Sequence, residues 1–303
     1  MVMKPKNVMI VEVGPRDGLQ NEPNLIKTEV KEQFIKKLWA SGIQEMELTS
    51  FVSPKWVPQM ADSKEIVEKN STNSGRKIVL VPNLKGVQLA DDANATELAF
   101  FIGVSDTFNK KNINRSTNEA LMELLPLIKQ LKEQKKWLRI CISTAFYCPY
   151  EGKIDPNNVL SLCQKFIQYG VDDISVADTI GMANPQEVAF LFSLLKEAFP
   201  STTFSAHFHD TRGMALSNIY TALQAGITRF DCSAGGLGGC PFAKGATGNV
   251  ATEDALTLFE SLGIETGIDI NKLFQAIDLL APHLSSPILS KNYLLYSRQK
   301  STV

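Results

Sequence analysis

"ELAFFIGVS" (residues 97–105), "TNEALMELLPLIKQLKEQ" (117–134) and "WLRICIST" (137–144) follow one another near the middle of the chain. The outer two are apolar runs of strand length, and the middle one repeats its apolar residues at helical spacing. A strand, an amphipathic helix and a second strand in that order make a parallel β/α unit.

The unit recurs along almost the whole chain. Further strands are expected at 8–14, 43–50, 77–82, 172–178, 202–209 and 229–236, with helical patterns between them such as 28–42 and 155–170. The last of these starts on Asp155 and Pro156 and stops at Gly170, the usual start and stop signals. Eight strands in about 250 residues is the size of a (β/α)8 TIM barrel. The expected architecture is therefore α/β: one catalytic domain over residues 1–303, with the barrel over about 8–262 and an extra C-terminal helical segment over about 263–303. "NKLFQAIDLLAPHL" (271–284) is the extra helix, placed on the barrel's side or against another subunit. An open doubly wound sheet is the alternative, weakened because no G-x-G-x-x-G follows the first strand.

Composition narrows the function. The chain has 303 residues, 44 % of them hydrophobic, and a formal charge of −1, so no overall field favours nucleic acid or an acidic membrane. No apolar stretch is long enough to span a bilayer, and the apolar run at the N-terminus is too short for a signal peptide. The five cysteines, Cys141, Cys148, Cys163, Cys232 and Cys240, show no C-x-x-C spacing, which reads as reduced thiols in a cytoplasmic protein.

On a barrel, ligand chemistry takes place where the strands end. "EVGPRDGLQNE" (12–22) puts Arg16 and Asp17 there on the first strand; Glu47, Asp178, and the pair His207 and His209 occupy the same end of strands two, six and seven, and Cys240 lies just beyond strand eight. Turn decoration explains one such residue, not several. In "SAHFHDTRG" the two histidines are i and i+2 on a strand and share a face. They can be hydrogen-bonded core residues or ligands of one metal ion, and Asp17 across the mouth favours the metal. Ligand type alone does not pick the ion, and a two-His, one-carboxylate iron site is chemically possible. A barrel metallohydrolase would call for more histidines, and the only other, His283, lies in the C-terminal helix.

"SAGGLGGCPFAKGATGNVATED" (233–254) is a glycine-rich loop around Cys240. It can close over a site, cradle a phosphate or simply connect, and it lacks Walker spacing. Asn249, at its end, can reach a metal or cap the helix expected near Val250. "NKKNINRS" (109–116) clusters Lys110, Lys111 and Arg115 after strand four, either a solvated surface or a site for phosphates.

"VGPRDGLQNE", "ELTSFVSPKW", "FYCPYEGK", "ADTIGMANP", "HFHDTRG" and "GGLGGCPFAKGATGN" occur in one collinear order over about residues 8–280. Together they resemble the 3-hydroxy-3-methylglutaryl-CoA lyases, a metal-dependent TIM-barrel family. Condensing synthases for isopropylmalate or homocitrate share the R-D-G-x-Q and H-x-H elements, but typically carry Gly-Glu-Arg where this chain has "GGCP".

The resemblance implies cleavage of 3-hydroxy-3-methylglutaryl-CoA to acetoacetate and acetyl-CoA. It implies Asp17, His207, His209 and Asn249 as ligands of Mg²⁺ or Mn²⁺, Arg16 facing the thioester oxygen, and Glu47 as its acidic partner. Cys240 is the implied loop catalyst, His207 a further candidate to move a proton, and Asp178 and Glu253 polar supports. Lys110, Lys111 and Arg115 are the candidates for the CoA phosphates. The expected partners are an acyl-CoA substrate and further copies of the chain, as a dimer or tetramer, with neither nucleic acid nor membrane. Arg212 stands where animal enzymes tend to have tyrosine.

Overall fold

Each expected strand reads as a nearly continuous apolar run, which is what a strand covered on both faces requires. The computed structural model describes residues 5–238 and 248–300. Its strands are β1 (Met9–Glu12), β2 (Glu45–Ser50), β3 (Arg76–Leu80), β4 (Glu97–Gly103) and β5 (Trp137–Ser143), then a small antiparallel hairpin, β6 (Tyr147–Cys148) and β7 (Gly152–Lys153), then β8 (Asp173–Asp178), β9 (Phe204–Phe208) and β10 (Arg229–Cys232). Excluding the hairpin, the strands are all parallel and close in the order β1-β10-β9-β8-β5-β4-β3-β2. The doubly wound alternative is thereby excluded: β1 pairs with β10 on one side and β2 on the other.

The helices are α1 (Thr28–Ala40), α2 (Ser63–Lys69), α3 (Leu84–Asp92), α4 (Asp106–Ile113), α5 (Thr117–Glu133), α6 (Pro156–Ile167), α7 (Pro185–Ala198), α8 (Ala215–Gln224), α9 (Thr252–Ser261), α10 (Ile270–Leu280) and α11 (Lys291–Lys300). Local chemistry starts them. A reciprocal Ser116–Glu119 pair caps α5 and an Asn184–Glu187 pair caps α7, each satisfying two helix-end amides. Among the described residues no helix is long and apolar enough to cross a membrane, and Cys141, Cys148, Cys163 and Cys232 are free thiols.

The two sides of the barrel wall differ. Outward residues such as Phe100, Ile140, Ile174, Phe208 and Phe230 join the main core beneath the helices. Inside, a smaller apolar cluster of Val11, Val13, Ile78, Leu80 and Ala99 fills the β1–β3–β4 side. The rest is polar: Arg139 on β5, Asp173 and Ser175 on β8, His207 on β9 and Asp231 on β10 line the other strands, and Glu47 joins them from β2, between β1 and β3, all buried. The lumen of such a barrel is ordinarily packed with branched apolar side chains. Here half of it is a charged network.

All eight barrel strands are shorter than expected, β1, β9 and β10 by three or four residues. β1 stops at Glu12 rather than Gly14, because the chain turns immediately afterwards. β10 stops at Cys232 rather than Gly236, because Gly235 takes a φ of 74°, which a β-strand cannot hold. The extra helix ends at Leu280 instead of running to 284; a single tight turn over Ala281–His283, containing Pro282, follows it. α10 packs on α1 at the barrel's side. α11 is joined to α10 by Phe274 stacked on Tyr296 and by Asp278, which accepts from the Tyr293 and Tyr296 hydroxyls.

Candidate metal centre and active site

After β1 the chain makes one wide turn. The amides of Arg16, Asp17 and Gly18 all donate to the Val13 carbonyl, at 3.2, 2.8 and 3.1 Å. Such a widened turn is a frequent device at functional sites. A Cβ at Gly18 would stand 2.9 Å from both Leu237 Cβ and Ser233 Oγ, so a bulkier residue would force the turn off β10's end. The turn places Arg16 and Asp17 at the mouth. Arg16 Nε donates to Glu47 Oε2 at 2.7 Å, its Nη2 donates to the same oxygen, and its Nη1 donates to Asp17 Oδ1 at 2.7 Å. β2 changes register against β3 between Glu47 and Thr49, a local irregularity of the kind that re-aims side chains near sites.

His207 and His209 lie on one face, ring centroids 5.0 Å apart. His209 Nδ1 is 3.1 Å from the Asp178 carbonyl oxygen. A carbonyl only accepts, so Nδ1 carries the proton and Nε2 keeps its lone pair. His207 Nδ1 is 3.1 Å from Asp231 Oδ2. Burial would raise the Asp231 carboxyl, but the Arg139 guanidinium and the His207 hydrogen bond hold it well below the usual range. It is therefore an acceptor, and His207 too presents Nε2. That nitrogen lies 4.0 Å from Asp17 Oδ2. One ligand atom from each of Asp17, His207 and His209 lies within 4.8 Å of the others.

Asn249 completes the group. It forms an isolated antiparallel bridge with His209, and its Nδ2 donates to Asp17 Oδ2 at 2.8 Å and to the Leu237 carbonyl at 3.0 Å. It does not cap α9, whose N-cap is Ala251 without a side-chain bond. Among the described residues its buried Oδ1 has no hydrogen-bond partner. A buried acceptor left unpaired is costly. Asn249 adjoins Asp17 of a carboxylate and two-imidazole set, and an amide oxygen added to those groups fits a divalent cation.

Electrostatics agree. Burial alone would raise Asp17, but Arg16 and the two imidazoles bring it down to about 2. Burial, with His207 alongside, lowers His209 to about 4, so it is neutral near pH 7. His207 differs: burial works against its charged form, yet the Asp231 hydrogen bond and charge raise it overall, so a cation at Nε2 would take the place of a proton there. Arg16 stays a cation: burial opposes it, and Glu47 and Asp17 more than compensate.

The remaining sequence candidates separate. Asp178 accepts from the Met182 and Ala183 amides at 3.0 Å each and holds His209 through its carbonyl. Glu253 accepts from the Gly235 amide and pairs with the Ser290 hydroxyl. Arg212 donates to the carbonyls of Ile180 and Gly181, tying the loop after β9 to the loop after β8. Lys110, Lys111 and Arg115 do not converge on one point. Arg115 pairs with Glu123 at 2.6 Å, Lys110 sits 4.0 Å from Asp106, and Lys111 lies over the Tyr150 ring. Cys240 lies outside the described residues.

Three charged residues escaped sequence reasoning. Arg139 is fully buried in the lumen, Asp231 holds His207, and Glu12 accepts from the Gly14 and Ala234 amides and from Thr252. A signal was present: Glu12 and Arg139 are each a lone charge inside a run otherwise apolar enough to be a buried strand, and Asp231 alternates with Arg229 in the short strand-length run before the glycine-rich loop.

Fold and site together define a class: a TIM-barrel protein with a candidate divalent-metal centre and an adjoining guanidinium at the C-terminal mouth. Comparison with known proteins narrows the class. The chain belongs to the HMGL-like family, whose model matches residues 7–280. It is 44 % identical to the mitochondrial hydroxymethylglutaryl-CoA lyase of Arabidopsis thaliana, over 97 % of this chain and 63 % of that longer protein. It is 42 % identical to the hydroxymethylglutaryl-CoA lyase YngG of Bacillus subtilis, over 96 % of this chain and 98 % of the relative. Among solved structures, an HMG-CoA lyase from Acinetobacter baumannii in complex with coenzyme A and 3-methylmalate superposes with a TM-score of 0.90, at 37 % identity, covering 96 % of this chain and 95 % of the other.

Proposed function

We propose that this protein is a carbon–carbon lyase that cleaves 3-hydroxy-3-methylglutaryl-CoA to acetoacetate and acetyl-CoA. The observation that carries the reading is the likeness to lyases of that name along nearly the whole chain. The barrel and the metal-type residues alone are shared with condensing synthases.

The chemistry suits the residues. The tertiary hydroxyl of the substrate loses its proton and becomes the ketone of acetoacetate while the adjacent carbon–carbon bond breaks. The electron pair of that bond leaves as the enolate of acetyl-CoA, which takes up a proton at carbon. A divalent cation held by Asp17, His207, His209 and Asn249, with Mg²⁺ or Mn²⁺ proposed, would supply Lewis acidity to the hydroxyl and carboxylate end of the substrate. Arg16 then has the other end. Negative charge develops on the thioester oxygen, and a guanidinium already fixed by Glu47 stabilises it without reorganising. Buried Asp231 and the Asp178 carbonyl fix the two imidazole tautomers. Cys240 is the proposed donor to the enolate carbon, with His207 as the other candidate. Lys110 and Lys111 remain candidates for the CoA phosphates, whereas Arg115 is already neutralised by Glu123. The proposal includes a cytoplasmic, single-domain homo-oligomer.

Purified protein incubated with 3-hydroxy-3-methylglutaryl-CoA and Mg²⁺ or Mn²⁺ should release acetoacetate. Absence of acetoacetate with every divalent cation tried would overturn the assignment.

A further inference from the structure

Tracing the lumen charges pair by pair gives a nearly closed circuit. Asp17 accepts from Arg16, and Arg16 donates to Glu47. Glu47 Oε1 faces Arg139 Nη1 at 3.3 Å, and Arg139 Nη2 donates to Asp231 Oδ1. Asp231 Oδ2 receives His207 Nδ1 at 3.1 Å, and His207 Nε2 comes back to within 4.0 Å of Asp17. With His207 neutral, the circuit's three carboxylates and two guanidinium groups leave one net negative charge, which favours a cation. Two further contacts fix its far side: Arg139 Nε lies 2.9 Å from Asp173 Oδ2, and Ser175 Oγ donates to Asp231 Oδ2 at 2.7 Å. Arg139 is the member shared by both arms. Its hydrogen bonds and ion pairs go to Glu47, Asp173 and Asp231, and its side chain is 0 % exposed.

We infer that Arg139 is a positioning residue that couples the two halves of the site. Through Asp231 it orients His207 for the cation, and through Glu47 it orients Arg16 for the thioester oxygen. The inference rests on the metal-assisted reading given above. Its physical basis is the guanidinium's planar fork, which spans Glu47, Asp231 and Asp173 from three different strands at once; a lysine ammonium offers the charge but not the span. A charge serving only the stability of the barrel would not have to link a metal-type histidine to the catalytic guanidinium.

The test uses substrate-free protein titrated with Mn²⁺ alone, the free ion being read by electron paramagnetic resonance, alongside steady-state kinetics at saturating Mn²⁺. Arg139→Met should raise the Mn²⁺ dissociation constant roughly 10- to 100-fold, the effect typical of removing an outer support of a metal ligand. It should lower kcat with KM changed less than about threefold, because Arg16 acts on charge formed in the transition state. Arg139→Lys should recover folding but only part of both losses. Since Arg139→Met leaves buried carboxylates uncompensated and can fail to fold, Asp231→Asn is the second variant, with the same expected rise in the Mn²⁺ constant. Folded Arg139→Lys or Asp231→Asn with Mn²⁺ affinity and kcat within about twofold of wild type overturns the inference and leaves Arg139 a stability residue. Wild-type protein that binds no Mn²⁺ overturns the metal reading and this inference together. Wild-type protein that binds Mn²⁺ without releasing acetoacetate refutes the proposed substrate alone, and a rise in the variants' Mn²⁺ constant then still supports the coupling.

Discussion

Glu12 makes a pH-dependent prediction with a definite sign. It is buried at the end of β1, where its Oε1 accepts from the Gly14 amide at 2.8 Å and the Ala234 amide at 2.9 Å, and its Oε2 accepts from Thr252 Oγ1 at 2.7 Å. It thus joins the turn that carries Arg16 and Asp17 to the turn after β10 and the start of α9. Burial outweighs these hydrogen bonds and raises its carboxyl from 4.5 to about 7. In the unfolded chain the proton leaves near 4.5; in the fold it stays to about 7. Between those values the folded protein holds more protons than the unfolded one, so stability falls as pH rises through that window. The contribution is complete below about pH 4.5 and lost above about pH 7, a change of about 3 kcal/mol at 1.36 kcal/mol per pH unit. Glu12→Gln mimics the protonated form: its amide oxygen accepts both backbone N–H groups, and its amide N–H donates to a rotated Thr252 hydroxyl. Urea unfolding at pH 5 and pH 8 gives the assay. The variant should match wild type within about 1 kcal/mol at pH 5 and be more stable by about 3 kcal/mol at pH 8. Glu12→Ala, which strands two buried amides, should lose stability at both pH values. An equal difference between Glu12→Gln and wild type at pH 5 and pH 8 would refute the buried-carboxyl reasoning.

Chelation should abolish acetoacetate release and Mg²⁺ or Mn²⁺ restore it, with Asn249→Ala and His209→Ala weakening metal binding more than folding; full turnover in protein shown metal-free by elemental analysis would exclude the centre. Arg16→Gln should reduce kcat on the order of 10²-fold, as loss of an oxyanion donor does, with little change in KM; a raised KM at normal kcat would make Arg16 a binding residue only. Cys240→Ser should cut kcat steeply while Mn²⁺ affinity survives, since a hydroxyl is a far weaker acid than a thiol. Wild-type turnover in that variant would remove the loop cysteine from the chemistry. Cys163, fully buried and with its thiol pushed up by burial, should resist a thiol reagent throughout as the internal control.

The sequence by itself determined the barrel and set the most conspicuous candidate residues at its mouth. Strand-length apolar runs alternating with helical periodicity leave few topologies, and a parallel arrangement puts every strand's C-terminal end on one face. The i, i+2 spacing of His207 and His209 needs no tertiary information, since a strand's pleat decides it. Arg16, Asp17 and Glu47 were legible because polar residues ended apolar runs.

Which groups meet across the lumen was decided only by closure. Glu47 and Arg139 lie 92 positions apart in sequence and on strands that are not neighbours, and they pair because the wall curves until opposite strands face each other. Arg139, Asp231 and Glu12 each look like an anomaly in a buried strand until a counter-charge or amide from another strand is supplied. Asn249 fitted a helix cap equally well on local pattern; the bridge to His209 and the contact with Asp17, 232 positions away, decided against it. Lys110, Lys111 and Arg115 show the same limit from the other side, because sequence proximity said nothing of the separate partners each side chain takes. Local spacing fixes the direction of a side chain from its own element. What it meets depends on the rest of the chain, since burying a charge is tolerable only where the fold brings it a partner.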